Sequence, residues 1–243
     1  MSLWEKLLNL LFPPKCAFCG ALLQDGEKGV CAACEKALPY VEEGQILCAL
    51  PFGPCAVTFY YEDMVRQGIH GLKFHGRQAS AAVFARYMAQ TAAEHLAGTF
   101  DAVTFVPVSD RRLKQRGYDQ SRLLAEGMAA LWDTKAEAVL EKVRDNPAQS
   151  GLSGAGARRD NVRGVYRIRE GAQVAGKRFL LVDDVLTTGS TLSECAATLT
   201  AAGAAGVVSC ALATPGAREN SGTLDEKTIN KAKTAGKWSK NRM

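Results

Sequence analysis

Apolar residues form short continuous runs at Ala56–Tyr61, Asp101–Val108 and Phe179–Val182, and recur at helical spacing between those runs. Continuous runs of that length are expected of strands buried on both faces of a parallel sheet. The pattern predicts strands at these three places, at Val165–Ile168 and at Val207–Ala213. It predicts helices over Asp63–Phe74, which carries Ile69, Leu72 and Phe74, and over Ala79–Leu96. A third helix bears Leu123, Leu124, Met128, Leu131 and Trp132, and a fourth runs from Thr191 to Ala202 with Leu192, Cys195, Ala196 and Leu199 on one face. Strands alternating with helices argue for an α/β fold, a mainly parallel sheet with helices on both faces.

The ends of the chain follow other patterns. Trp4, Leu7, Leu8 and Leu11 predict a short amphipathic helix over residues 1–12, stopped by Pro13 and Pro14. It is too short to span a bilayer, carries Glu5 and has no small-residue cleavage site, so a cytoplasmic placement without a transmembrane segment is expected. Residues 39–56 hold Pro39, Gly44, Pro51, Gly53 and Pro54 and read as a linker. Residues 215–243 lack an apolar period and read as a basic, disordered tail.

Charge changes this picture little. The chain has 243 residues and a net charge of +5, but residues 217–243 alone hold seven Lys or Arg against three Asp or Glu. The body is close to neutral, so nucleic-acid binding has to be argued from local clusters. One such cluster, Arg111, Arg112, Lys114 and Arg116, follows the strand at 101–108 and precedes Tyr118, Asp119 and Gln120. It lies where α/β sheets bind ligands, beyond the carboxyl end of a strand.

Four of the eight cysteines form Cys16-x₂-Cys19-x₁₁-Cys31-x₂-Cys34. Paired knuckles of this spacing place four thiolates around a tetrahedral Zn²⁺, and four sulfurs close its coordination sphere, so the expected role is structural. The segment between the knuckles has no core of its own, which predicts a self-contained ribbon at residues 13–38 folded by its metal. Cys48 and Cys55 make no complete pair of knuckles, and a second zinc site is not expected from them.

The stretch with the most chemistry is Leu181-Val-Asp-Asp-Val-Leu-Thr-Thr-Gly-Ser-Thr191. Asp183 and Asp184 end a buried strand. Thr187, Thr188, Gly189, Ser190 and Thr191 then lead into a helix N-terminus, where free N–H groups and the helix dipole favour phosphate. Two acids beside a phosphate cradle suit a ligand with hydroxyls at one end and phosphate at the other, with Mg²⁺ as a bridging ion.

This stretch resembles the PRPP-binding motif of type I phosphoribosyltransferases, PRPP being phosphoribosyl pyrophosphate. Together with the cysteine pairs, it makes residues 12–214 resemble the ComF/GntX-like branch, in which a zinc ribbon precedes a phosphoribosyltransferase domain. The implied domain layout is an N-terminal helix at 1–12, ribbon at 13–38, linker at 39–56, a phosphoribosyltransferase-like domain at 57–214 and a tail beyond. The resemblance implies that Asp183 and Asp184 meet the ribose hydroxyls and that Thr187–Thr191 hold the 5′-phosphate. Arg111, Arg116, Asp119 and Gln120 match the family's Arg-rich segment, and Lys73-Phe74 matches a family position. Gln149, Leu152, Arg158, Asn161 and Val162 match its flexible loop, a lid. Where the family carries a proline, Ser109 stands.

The resemblance implies binding of PRPP or a similar phosphosugar with Mg²⁺. By way of the competence branch it also implies work in DNA uptake, with single-stranded DNA and a protein of the competence machinery as candidate partners. The alternative is an active phosphoribosyltransferase of nucleotide metabolism with an unidentified acceptor and no part in DNA uptake. At the position where purine-salvage members place an Asp base, Thr187 stands, and a hydroxyl is a poor base at neutral pH. Both readings stay open on the sequence.

Overall fold

The computed structural model describes residues 13–144 and 164–215. The expected N-terminal helix, the lid residues Gln149, Leu152, Arg158, Asn161 and Val162, and the tail from 216 onward lie outside them.

A five-stranded sheet organises the described chain. Its strands are β1 (Leu47–Leu50), β2 (Gly53–Tyr60), β3 (Ala102–Phe105), β6 (Arg178–Val185) and β7 (Gly206–Thr214), in the order β1-β2-β7-β6-β3. All neighbours are parallel except β1, which folds back antiparallel on β2. A separate antiparallel pair, β4 (Leu140–Lys142) and β5 (Tyr166–Ile168), stands beside it. The helices are α1 (Ala32–Lys36), α2 (Asp63–Phe74), α3 (Ser80–His95), α4 (Asp110–Arg116), α5 (Gln120–Leu131) and α6 (Ser190–Ala201).

Strand alternation divides the core in two. Leu180 and Val182 of β6 point to the face packed by α2, α3 and α5; Phe179 and Leu181 point to the face packed by α6, β4 and β5. Both layers are apolar, as parallel strands covered on both faces require. Cys195 and Cys210 lie fully buried in these layers, as their apolar faces suggest. Leu131, expected within the apolar stripe of α5, turns its side chain out at the helix end.

Two sequence readings are corrected. Residues 39–56, read as a linker, hold β1 and the first half of β2, so they belong to the sheet. Prolines and glycines mark the short turn of this edge hairpin, where an edge strand tolerates them. Cys48 and Cys55 are register partners across it, and burial raises the pKa of both thiols.

The ribbon is also less self-contained than its sequence suggests. Phe18 lies within the first knuckle, between Cys16 and Cys19, is fully buried, and meets Phe84 at 5.1 Å and Phe59 at 5.7 Å in edge-on contacts. Gln67 of α2 donates to the Cys19 carbonyl at 3.2 Å, and Arg86 of α3 donates to the Lys28 carbonyl at 3.2 Å. Tyr87 donates its hydroxyl proton to Glu35 at 2.6 Å. The ribbon therefore completes the core over α2 and α3.

Candidate functional site

The four thiols of Cys16, Cys19, Cys31 and Cys34 lie within 4.8 Å of one another. A tetrahedral zinc–thiolate centre needs sulfurs about 3.8 Å apart, and Cys19 and Cys31 stand at 3.7 Å. Burial opposes the Cys16 thiolate, but backbone N–H groups, Cys31's among them at 3.4 Å, outweigh it and bring the pKa down to about 7. The donor set fits a structural Zn²⁺.

The second site is a cleft of about 400 Å³ at the carboxyl ends of β3 and β6. Asp183, Asp184, Thr187, Gly189, Ser190 and Thr191 form one side of it. Arg112, Arg116, Gln120 and Ser121 also line it, together with Lys73, Lys142 and Tyr166.

Each part is positioned by local chemistry. β6 continues through both acids to Val185, and α6 begins at Ser190. Gly189 makes that transition with φ +72°, in the left-handed region, and a Cβ there would meet Leu50 of β1 at 2.6 Å. The hairpin misread as a linker thus closes the back of the loop at 187–191. Thr188 and Ser190 hydroxyls stand 2.7 Å apart. Gly189→Ala should lower stability by about 1–2 kcal/mol through the left-handed backbone alone, and move the loop; a thermal melt with and without ligand measures both effects.

Asp183 accepts from Ser121 at 3.0 Å and from the Asp184 N–H at 2.9 Å. Asp184 meets the Lys73 ammonium at 2.7 Å and is 8% exposed. Burial, and then the neighbouring Asp184 charge, push the Asp183 pKa from 3.8 up to about 7. A carboxyl whose folded pKa is raised contributes stability that is full below 3.8 and is lost as pH rises through about 7. Asp183→Asn should therefore remove part of the fall in melting temperature across that window. An identical slope in both proteins, each melted with zinc bound, would contradict the assignment.

The basic segment is α4. Ser109, standing where the family has proline, is its N-cap and accepts from the Arg112 N–H at 3.4 Å. Gly117 closes it with φ +79°. Arg112 and Arg116 sit one turn apart on the face toward the cleft. Arg111 is exposed and is not part of the cleft wall, so the structure brings Arg112 there in its place. The spacing i, i+4 from Arg116 was the signal that could have found Arg112. Arg116 donates to Gln120 at 2.8 Å and lies over the Phe74 ring at 4.9 Å.

Asp119 has a different place from the one its motif suggests. It caps α5 by accepting from Arg122 N–H at 3.1 Å and holds the β3–α4 loop by accepting from Val108 N–H at 2.9 Å. It shapes the cleft from behind. Tyr118 is buried and donates its hydroxyl to the Leu72 carbonyl, tying α5 to α2. Lys73, Lys142 and Tyr166 were not singled out as site residues by the sequence, because separate elements bring them there.

Residues 118–236 match the phosphoribosyl transferase domain family, and residues 7–58 match the double zinc ribbon domain. A protein named DNA utilization protein YhgH, from Salmonella typhi, is 30% identical over 82% of this chain and 96% of its own length. The chain belongs to the ComF/GntX-like family. Competence protein F of Haemophilus influenzae, a further relative, is 27% identical over 74% of this chain and 88% of its own. Among solved structures, a glutamine PRPP amidotransferase from B. subtilis matches 55% of this chain and 26% of its own, at 27% identity and a TM-score of 0.38. The ribbon match covers the four clustered cysteines, and the phosphoribosyl transferase match covers Asp183 to Thr191. No helix among the described residues is long and apolar enough to cross a membrane.

Proposed function

We propose that the cleft binds PRPP or a closely related phosphosugar together with Mg²⁺, and that the protein serves DNA uptake in the cytoplasm. One observation carries the reading: the acid pair and the hydroxyl-rich loop at the α6 N-terminus line the same cleft as Arg112 and Arg116. Hydroxyls at one end of a phosphoribose would meet Asp183 and Asp184. Its 5′-phosphate would meet the Thr187–Thr191 amides and hydroxyls. A diphosphate on carbon 1 would extend toward the two guanidinium groups, which suit phosphate by their fork of donors. Mg²⁺ takes oxygen ligands such as those of a diphosphate, and when bound there it would neutralise the diphosphate charge. In a transfer, Arg112 and Arg116 would stabilise the departing pyrophosphate while the loop fixes the phosphate end. Thr187 is a hydroxyl at the place a base would take, which points away from base-assisted purine transfer.

The relatives' names favour DNA utilization and competence as the setting. For DNA the exposed residues Arg111 and Lys114 of α4 are the candidates, with Phe74, 59% exposed and under Arg116, as a stacking surface. Tyr118, being buried, is not available for stacking. The alternative, an active phosphoribosyltransferase without a part in DNA uptake, keeps the same cleft.

Two assays test these readings, the first the shared cleft and the second the DNA role. PRPP with Mg²⁺ should raise the melting temperature well beyond inorganic phosphate at equal concentration, because ligand binding to the native state stabilises it; an equal rise with phosphate would leave the phosphosugar unsupported. Arg111→Ala with Lys114→Ala should weaken single-stranded DNA binding and lower its salt slope by about 1.4, two phosphate contacts' worth, without changing the PRPP effect. No DNA binding by the intact protein at low salt would leave the alternative standing.

A further inference from the structure

Lys73 occupies the last turn of α2, and its ammonium reaches Asp184 Oδ2 at 2.7 Å. That oxygen is buried and has no hydrogen-bond partner among the described residues beyond this ion pair. The lysine is not a loose surface chain. It is 22% exposed, and α2 is fastened on three sides: Gln67 to the ribbon, Leu72 to Tyr118, and the next residue, Phe74, under Arg116. A fixed helix thus delivers a unit positive charge to one member of the acidic pair.

Such a charge has a consequence for metal. A divalent cation bound by a carboxylate oxygen sits about 2.0–2.5 Å from it, within the space the ammonium already fills. Repulsion between two cations that close is strong in a partly dry site. We propose that Lys73 is a specificity-determining residue of this cleft, its ammonium standing in for a divalent cation at Asp184. The sugar end of the ligand then binds the acidic pair without a metal ion, and Mg²⁺ is confined to the diphosphate end. This inference rests on the phosphosugar reading for its ligand, but its effect on metal can be read without any ligand.

The experiment uses the full chain with zinc in place and Mn²⁺ as probe, followed by electron paramagnetic resonance. Wild type should bind Mn²⁺ weakly. Lys73→Met should bind it at least about tenfold more tightly, the least expected from removing a neighbouring unit charge, and adding Asp184→Asn should cancel the gain. Lys73→Arg, which keeps the charge and protects folding, should behave as wild type. In buffer without added divalent ions, ribose 5-phosphate should bind wild type, and should bind Lys73→Met only when Mn²⁺ is supplied. Equal Mn²⁺ affinity in wild type and Lys73→Met overturns the proposal, as does Mn²⁺ binding by Lys73→Arg at the level of Lys73→Met. Failure of ribose 5-phosphate to bind any of the chains overturns the phosphosugar reading instead, and leaves the Mn²⁺ comparison to decide the role of Lys73.

Discussion

Phe18→Ala is expected to destabilise the whole chain, not the N-terminal segment alone, by about 3–5 kcal/mol, the usual cost of emptying a buried phenylalanine site. The ring has no solvent exposure and packs edge-on against Phe59 of β2 and Phe84 of α3. Its loss opens a cavity between ribbon, sheet and helices at once. Removing zinc should act along the same route, because Phe18 sits inside a knuckle whose two cysteines, Cys16 and Cys19, the metal would hold. Cys31→Ser should therefore lower the melting temperature of the sheet as well as of the ribbon. Far-ultraviolet circular dichroism, with ribbon order followed in parallel by near-ultraviolet signals, checks this. Coincident transitions at a lowered temperature are expected. A ribbon signal lost well below an unchanged sheet transition would restore the independent module that the cysteine spacing suggests.

That contrast shows what the sequence could and could not reveal. The knuckles were legible because metal ligands have fixed local spacing. The docking of Phe18 was not, because its partners belong to β2 and α3 and nothing within the knuckle announces them. The loop after the acidic pair was legible for the same local reason: hydroxyls, Gly189 and a helix start are consecutive. Its support by Leu50 was hidden, since β1 is four residues long, lies at an edge and is bounded by proline and glycine. α2 was predicted at its observed bounds from Ile69, Leu72 and their spacing. Lys73 at its end carried no signal of partnership with Asp184, which arises only when the fold brings α2 to the end of β6. For the Arg cluster, residue type was readable but facing was not, until Asp110 is taken as the helix start; Arg112 and Arg116 then share a face and Arg111 leaves it.

The central claim is that the acidic pair and the loop after it bind one phosphosugar. Calorimetric titration of PRPP with Mg²⁺ into the zinc-loaded chain, and into Asp183→Asn with Asp184→Asn, tests it most directly. Saturable binding at one site per chain is expected for wild type, and at a hundredfold excess over the dissociation constant it should add about 2.7 kcal/mol to stability. The double variant, still folding cooperatively, should give no binding heat. Binding of PRPP by the double variant at wild-type affinity would contradict the account, as would a wild-type protein that takes up inorganic phosphate but not PRPP.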